Sequence, residues 1–488
     1  MAVRLSGLVS NMDTESIVAE LMSAQRLKKT KVENKKTKLE WKQDKWKAMN
    51  SKIYSFYTKT LSNMRMQSSY TTKTAKSSDE SKVTATGGSV TAEGTHTIQI
   101  SNLASAQFVT GGKLGSTVTG KTTLAELQMT AGATNKINIT NGGKTESLEI
   151  KAETTVNDLV TAFKNAGLNA SFDATQKRFF VSSKESGLAN AFSITTEGSV
   201  DLSKVGLGTS AVTVPAADAA FVYNGTPMTS SSNTVTMNGM TMNLVGTTGT
   251  DSVTINVKND TQAVYDMIKN FIKGYNEVLT SMNEAYYAET AKGYEPLTDD
   301  QKEAMSEDQV EKWETKIKDS LLRRDETLNT LIGSMRNTLS RSVAVDKKAQ
   351  YLSTFGIVTT DYTEKGLLHI NGDKDDLSVS DEDNDLMTAL TNDPDKVMSV
   401  FTKLASDLYT DMSDKMSSTS MRSALNFYND KDMKKQIDNY TDSLKTMESK
   451  LEDLESRYYK QFTAMERAMS QMNSQSSNLA AMLGGSNS

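Results

Sequence analysis

At 488 residues the chain is long enough for three or four domains with separate cores. A net charge of −5 gives no general reason to expect nucleic acid, and 37% hydrophobic content with a mean hydropathy of −0.48 suits an elongated, surface-rich molecule better than a compact enzyme. The absence of Cys excludes disulfides, thiolate metal sites and a Cys nucleophile, and with only His96 and His369 present no multi-histidine zinc site, catalytic role or cofactor is expected.

The opening, MAVRLSGLVSNMDTES, has neither a basic region nor a usable apolar core, so no secretory signal peptide is expected, and no membrane span follows. Asp13 or Thr14 can cap a helix that starts with Glu15 in its favourable first turn and carries Ile17, Val18, Leu21 and Met22 on one face. Further on, Val32, Leu39, Trp46 and Ile53 fall seven apart, a coiled-coil-like seam. Its flanks are crowded with Arg26, Lys28, Lys29, Lys31, Lys35, Lys36, Lys38, Lys42, Lys45 and Lys47 against Glu33, Glu40 and Asp44. Three readings compete for that basic face: a solvated surface, pairing with an acidic helix, and a phosphate-binding surface. The seam favours pairing, because a helix that only touches phosphates has no need of Leu39, Trp46 and Ile53 in register.

Ser6-Gly7-Leu8, Met12-Asp13-Thr14-Glu15-Ser16-Ile17-Val18, Leu21-Met22 and Leu39-Glu40-Trp41-Lys42 resemble the opening of the flagellar hook-associated protein 2 family, the bacterial filament caps. Asn11 stands where that family usually has Gly. The resemblance implies export through the flagellar type III channel, consistent with the missing signal peptide.

From Ser77 the texture turns to Thr, Ser, Gly and short alternating strands. Thr95 to Ile100 alternates with period two, which makes His96 a strand side chain, and Asn102 to Gln107 resembles the family's strand signature. Gly115-Ser116-Thr117-Val118-Thr119-Gly120-Lys121-Thr122 matches GxxxxGK[ST], yet no apolar strand precedes it, so a Gly/Thr turn is expected and nucleotide binding is not. The best downstream Mg-holding residue would be Asp346, expected inside a helical region. Residues 136–182 read strand, strand, helix, strand, strand, with Thr154 or Thr155 capping the helix, and resemble the small α+β insertion of hook and flagellin proteins. After Pro215, strands return and close at Ser252 to Val257, so Ile98 and Val253 would share one sheet around an insertion.

Helix resumes at Asp260, with Val264, Ile268, Phe271, Tyr275 and Leu279 on one face. The carboxylates Glu303, Glu307, Asp308, Glu311 and Glu314 lie near Lys302, Lys312 and Lys316 and read as a solvated face. Asp373, Asp375 and Asp376, then Asp381, Asp383 and Asp385, suggest calcium. An EF-hand needs Gly at the sixth position, where Ser378 or Leu386 would stand, so caps and turns are expected.

From Ile437 to Leu483 apolar residues recur every seventh position: Ile437, Leu444, Leu451, Tyr458, Met465, Met472 and Leu479. No Pro or Gly interrupts before Gly484, which allows one helix of about 70 Å. Its flanks are acidic, and the Leu39–Trp46–Ile53 seam is expected to lie along part of the Leu444–Leu451–Tyr458 seam. Beyond Gln461 the stripe changes to Phe462, Met465, Met469, Met472 and Leu479, adaptable side chains that suit partner binding.

The expected architecture is α+β and multidomain. Terminal coiled-coil legs (1–40 and 437–488) and a helical body (41–76 and 260–436) enclose a β-rich domain (77–112 and 216–259) carrying an outer insertion (113–215). The resemblance implies a non-enzymatic, extracellular cap at the distal filament tip. It would be a ring of several copies that retains exported flagellin and helps it fold and insert. Its partners would be flagellin, further copies of itself and an export chaperone at the C-terminal helix, with host mucin or cells as a further possibility. Alternatives are a hook–filament junction protein and a surface adhesin using the β-rich domains.

Overall fold

The computed structural model describes residues 12–484; Ser6-Gly7-Leu8 and the rest of the first eleven residues lie outside it. The chain forms two compact units, Met1–Gln67 with Val264–Ser488, and Ser68–Ala263. Among the described residues no helix is long and apolar enough to cross a membrane.

The first unit is helical. Asp13 is the cap of its opening helix, Thr14–Ser55, and its carboxylate accepts from the Ser16 amide at 3.0 Å. Helical structure does not stop at Ser55. It continues as a π-helical segment, Phe56–Leu61, and a last turn, Ser62–Met64. Such wide turns are rare and often mark functional positions. Here Phe56 meets Phe271 at 5.7 Å and Tyr57 stacks on Tyr409 at 4.2 Å, while Arg65 lies 3.6 Å over the Tyr409 ring. Burial, then the hydrogen bond with Tyr409, pushes the Tyr57 hydroxyl up to about 12.

The body helices bury the faces their periodicity demands. Thr261–Tyr286 contributes Ile268, Phe271, Tyr275 and Leu279, Glu326–Leu339 contributes Leu328, Leu331 and Met335, and Pro394–Lys415 contributes Val397, Phe401, Leu404 and Leu408. Asp393 caps the last of these and Pro394 occupies its first turn, where a missing N–H costs nothing. One expectation is corrected here. Val343–Val345 lies not in a helix but in a hairpin with Lys348–Gln350, turned by Asp346 and Lys347 at positive φ.

The second unit holds two cores. A five-stranded antiparallel sheet runs in the order Lys73–Ser77, Val253–Asn259, Gly94–Asn102, Ala219–Tyr223, Thr226–Ser230. A three-stranded sheet joins Thr234–Met237, Met240–Leu244 and Val83–Gly87. Val253 pairs directly with Ile98, and Val83, Ile98, Ile100, Phe221, Met242 and Ile255 form this core. The other core gathers the helix Val156–Asn165 between a three-stranded sheet around Gly132–Asn141 and a four-stranded sheet around Arg178–Ser182. Thr155 caps that helix in a reciprocal capping box with Asp158. Val109 belongs to this second core and its strand, Phe108–Thr110, pairs with Val212–Val214, so the chain enters the insertion before Phe108 and not at residue 112.

Candidate partner-binding surface

The basic face of the first helix finds its partners inside the first unit. Arg26 lies 3.5 Å from Glu455 and Lys29 3.1 Å from Glu448 on the C-terminal helix, Asp430–Gly484. The hydrogen bond to Glu448 is the main cause that raises the Lys29 ammonium above its ordinary value, and burial opposes it. These pairs run in opposite chain directions, so the two helices are antiparallel. Further along, another face of the same helix meets a different acidic segment: Lys38 pairs with Glu295 at 2.7 Å, Lys42 with Asp325 at 2.8 Å and Lys45 with Asp319 at 2.7 Å. Lys318 sits 4.6 Å over the Trp41 ring. Each exposed pair contributes at most about 1 kcal/mol, so these charges choose register more than they supply stability.

Register is where the expected seam pairing is corrected. With Lys29 beside Glu448, the Leu444–Leu451–Tyr458 stripe runs opposite residues ahead of Leu39. Trp46, 1% exposed, stacks instead on Tyr428 at 5.5 Å and 10°, in the connector before the C-terminal helix. Asn50 fastens the same connector: its Oδ1 accepts from the Phe427 amide at 2.9 Å and its Nδ2 donates to the Leu425 carbonyl at 3.2 Å. Ile53 is fully buried, whereas Leu39, Leu444, Leu451 and Tyr458 are half-buried.

The Met-rich end divides in two. Phe462, Met465 and Met469 are half-buried, and on the antiparallel register Phe462 falls opposite the start of the first helix, near the buried Val18. Met472 and Leu479 are 67% and 61% exposed. Glu466, a buried carboxylate among these methionines, had no signal in the periodicity.

The phosphate-loop look-alike is an internal turn. The Gly120 and Thr122 carbonyls accept from the amides of Asn157 at 2.9 Å and Val156 at 3.0 Å, and Thr155 Oγ1 accepts from Asp158 N. The amides at the start of the Val156–Asn165 helix, those a phosphate would need, are thus already occupied. Lys121→Ala is expected to leave folding and assembly unchanged; tight ATP binding that disappears with this substitution, measured by calorimetry, would contradict the assignment.

The two histidines sit in different surroundings. His96, on Gly94–Asn102, stacks on Tyr223, and its Nδ1 lies 2.9 Å from the Tyr223 hydroxyl. His369, paired to Val358 across a two-residue-per-strand ladder, faces Asp376 and Glu364. Asp373 and Asp375 both take the Lys269 ammonium at 2.6 Å, so a protein cation already sits between the first carboxylates of the acidic run that suggested calcium. Glu314 likewise pairs with Lys302 at 3.0 Å and Lys318 at 2.9 Å. Burial works against its ionised form, but these two ammonium groups win and hold its carboxyl below the usual range. No nucleophile and base are brought together beside an oxyanion site by any of these groups, and what the unit presents is a pair of helices with an exposed apolar end.

The profile of the flagellar hook-associated protein 2 C-terminus matches residues 216–474, and that of its N-terminus matches residues 10–107. A flagellar hook-associated protein 2 of Halalkalibacterium halodurans is 25% identical over an alignment of 553 residues that covers 98% of this chain and 99% of the relative. That of Escherichia coli K12 is 25% identical over 492 residues, covering 97% and 96%. The crystal structure of the D1-D2-D3 domains of the flagellar cap protein FliD from Escherichia coli superposes with a TM-score of 0.53 at 20% identity, over 81% of this chain and 99% of that one. The architecture is therefore the α+β multidomain fold of a flagellar cap protein. The chain belongs to the flagellar hook-associated protein 2 family.

Proposed function

We propose that the chain caps the distal tip of the flagellar filament as a ring of several copies, retains exported flagellin there and helps each subunit fold and insert. Membership of the hook-associated protein 2 family carries this reading. The paired terminal helices act as coiled-coil legs directed at the filament, and Phe462, Met465, Met469, Met472 and Leu479 are their contact surface for flagellin. Met side chains repack at low cost, which suits a surface that must accept one subunit after another. The exposed positions Met472 and Leu479 support this assignment, and the same end of the helix is where an export chaperone would hold the chain before assembly. Export proceeds through the flagellar type III channel. The role is structural and requires no cofactor.

A strain lacking the chain is expected to shed monomeric flagellin into the medium, and expression of the chain should restore long filaments and clear the medium. Unchanged filament length and no free flagellin in the deletion strain would overturn the reading.

A further inference from the structure

We propose that His369 is a doubly protonated latch whose charge holds the 371–380 loop closed over one end of a cleft in the helical unit. The cleft, of about 1000 Å³, lies between Lys52 to Thr60 of the first helix and its π segment on one side and Lys269 to Ser281 on the other. Leu368 to Ile370 and Asp373, Asp375 and Asp376 close it at one end. Its floor includes Gly274, where a Cβ would approach Phe56 Cδ2 to 3.3 Å.

The latch follows from donor counting. His369 Nδ1 lies 2.6 Å from Asp376 Oδ2 and Nε2 lies 2.9 Å from Glu364 Oε2, with the imidazole 11% exposed. A neutral imidazole has one N–H, so one nitrogen would turn its lone pair toward a carboxylate oxygen. Neither carboxylate is free to swing away. Glu364 accepts from Thr360 Oγ1, and Asp376 Oδ1 accepts from the Ser378 amide at 3.1 Å and from Ser378 Oγ at 2.5 Å. The imidazolium donates to both carboxylates at once, with Ser378 Oγ a further neighbour 3.3 Å from Nδ1, and it ties the Tyr362–Glu364 turn to the loop. Lys269, gripping Asp373 and Asp375, fastens the same loop to the helix Thr261–Tyr286. The other charged groups facing the cleft are Lys273 and Glu277 on that helix and Lys52 and Lys59 on the opposite wall.

His96 is the internal contrast. Its Nε2 faces the Ala92 carbonyl, which needs a proton there, and its Nδ1 faces the Tyr223 hydroxyl and the Asn224 amide, which can donate to it. The neutral ring satisfies every partner.

The carboxylate limb has a defined sign. The Thr360 hydroxyl foremost, with help from His369, holds Glu364 below the usual range, and burial works against this. Asp376 is also held low, where the hydrogen bonds from Ser378 and His369 outweigh the burial that opposes them. Depressed carboxylates contribute above their unfolded values and cease to do so as pH falls through the folded ones. The carboxylate limb of the latch is therefore lost on the acid side.

The test is made on the full chain with 15N-labelled histidine, the two rings being assigned with His96→Gln. At about pH 7 His369 is expected to show two protonated ring nitrogens and His96 one bare nitrogen; a bare nitrogen on His369 overturns the proposal. Hydrogen exchange of residues 360–380, corrected for intrinsic rate, is expected to accelerate about tenfold or more from about pH 6 to pH 9, because charge-assisted hydrogen bonds are being lost. His369→Gln should show the fast value at both pH values. Glu364→Gln, which leaves the Asp376 contact, should lie between. Exchange independent of pH, or identical in wild type and His369→Gln, contradicts the latch. The latch is separate from the capping role, since it can fail while flagellin is still retained.

Discussion

Trp46→Ala is expected to destabilise the helical unit by roughly 3–5 kcal/mol, the range for removing a large aromatic from a filled core. Trp46 is 1% exposed, and its indole stacks on Tyr428, which is itself buried. Loss of the indole would leave a cavity at the point where the connector turns into the C-terminal helix, with Asn50 and the buried Phe427 still holding that connector. At about 2–4 °C per kcal/mol for a unit of this scale, the thermal midpoint should fall by on the order of 10 °C. Tyr428→Ala should behave similarly, and the double variant should cost clearly less than the sum, since the two rings share one contact. Trp41→Ala is the control, because its ring makes a surface contact with Lys318. An unchanged midpoint for Trp46→Ala, or strict additivity with Tyr428→Ala, would remove the stack from its proposed role.

The second large effect concerns the far end of the C-terminal helix. Truncation after Gln461 removes the half-buried Phe462, Met465 and Met469 together with the exposed Met472 and Leu479. The body and the 68–263 unit should still fold, because the truncation touches neither their cores nor the Trp46 anchor, but the truncated chain should let flagellin escape into the medium. Since the truncation also removes half-buried side chains, the sharper variant is Met472→Gln with Leu479→Gln, which changes exposed positions only. It should leave the thermal midpoint alone and raise free flagellin several-fold. Filaments of normal length without leakage from both variants would show that this stretch is not the flagellin-binding surface.

Much of the fold was legible because periodicity is local. The alternation of Thr95 to Ile100 and of Ser252 to Val257 marked two strands, and Val253 lies against Ile98 as nesting requires. The stripe from Ile437 onward announced a helix that runs to Gly484. Helix register was not legible, since a seven-residue repeat is satisfied equally by any slip of seven, and only the positions of Lys29 and Glu448 in space choose among them. In sequence the basic stretch points to one acidic partner, the C-terminal helix. The structure divides it between two, because the segment holding Glu295, Asp319 and Asp325 returns along the same helix.

Other features had no local signal. The hairpin at Val343 turns through Asp346 and Lys347 at positive φ, with Lys347 where a Gly usually follows Asp in such a turn. The π segment looks in sequence like any apolar helix. The acidic run at Asp373 resembled a cation site because its countercharge, Lys269, is supplied from about a hundred residues upstream. A single sequence shows the ligands of such a cluster but not the group that already occupies them.

The most direct measurement of the capping account is gold labelling of the chain on intact filaments, read by electron microscopy. Label confined to the distal end of each filament is the predicted result. Label at the junction of hook and filament, or spread along the shaft, would contradict it.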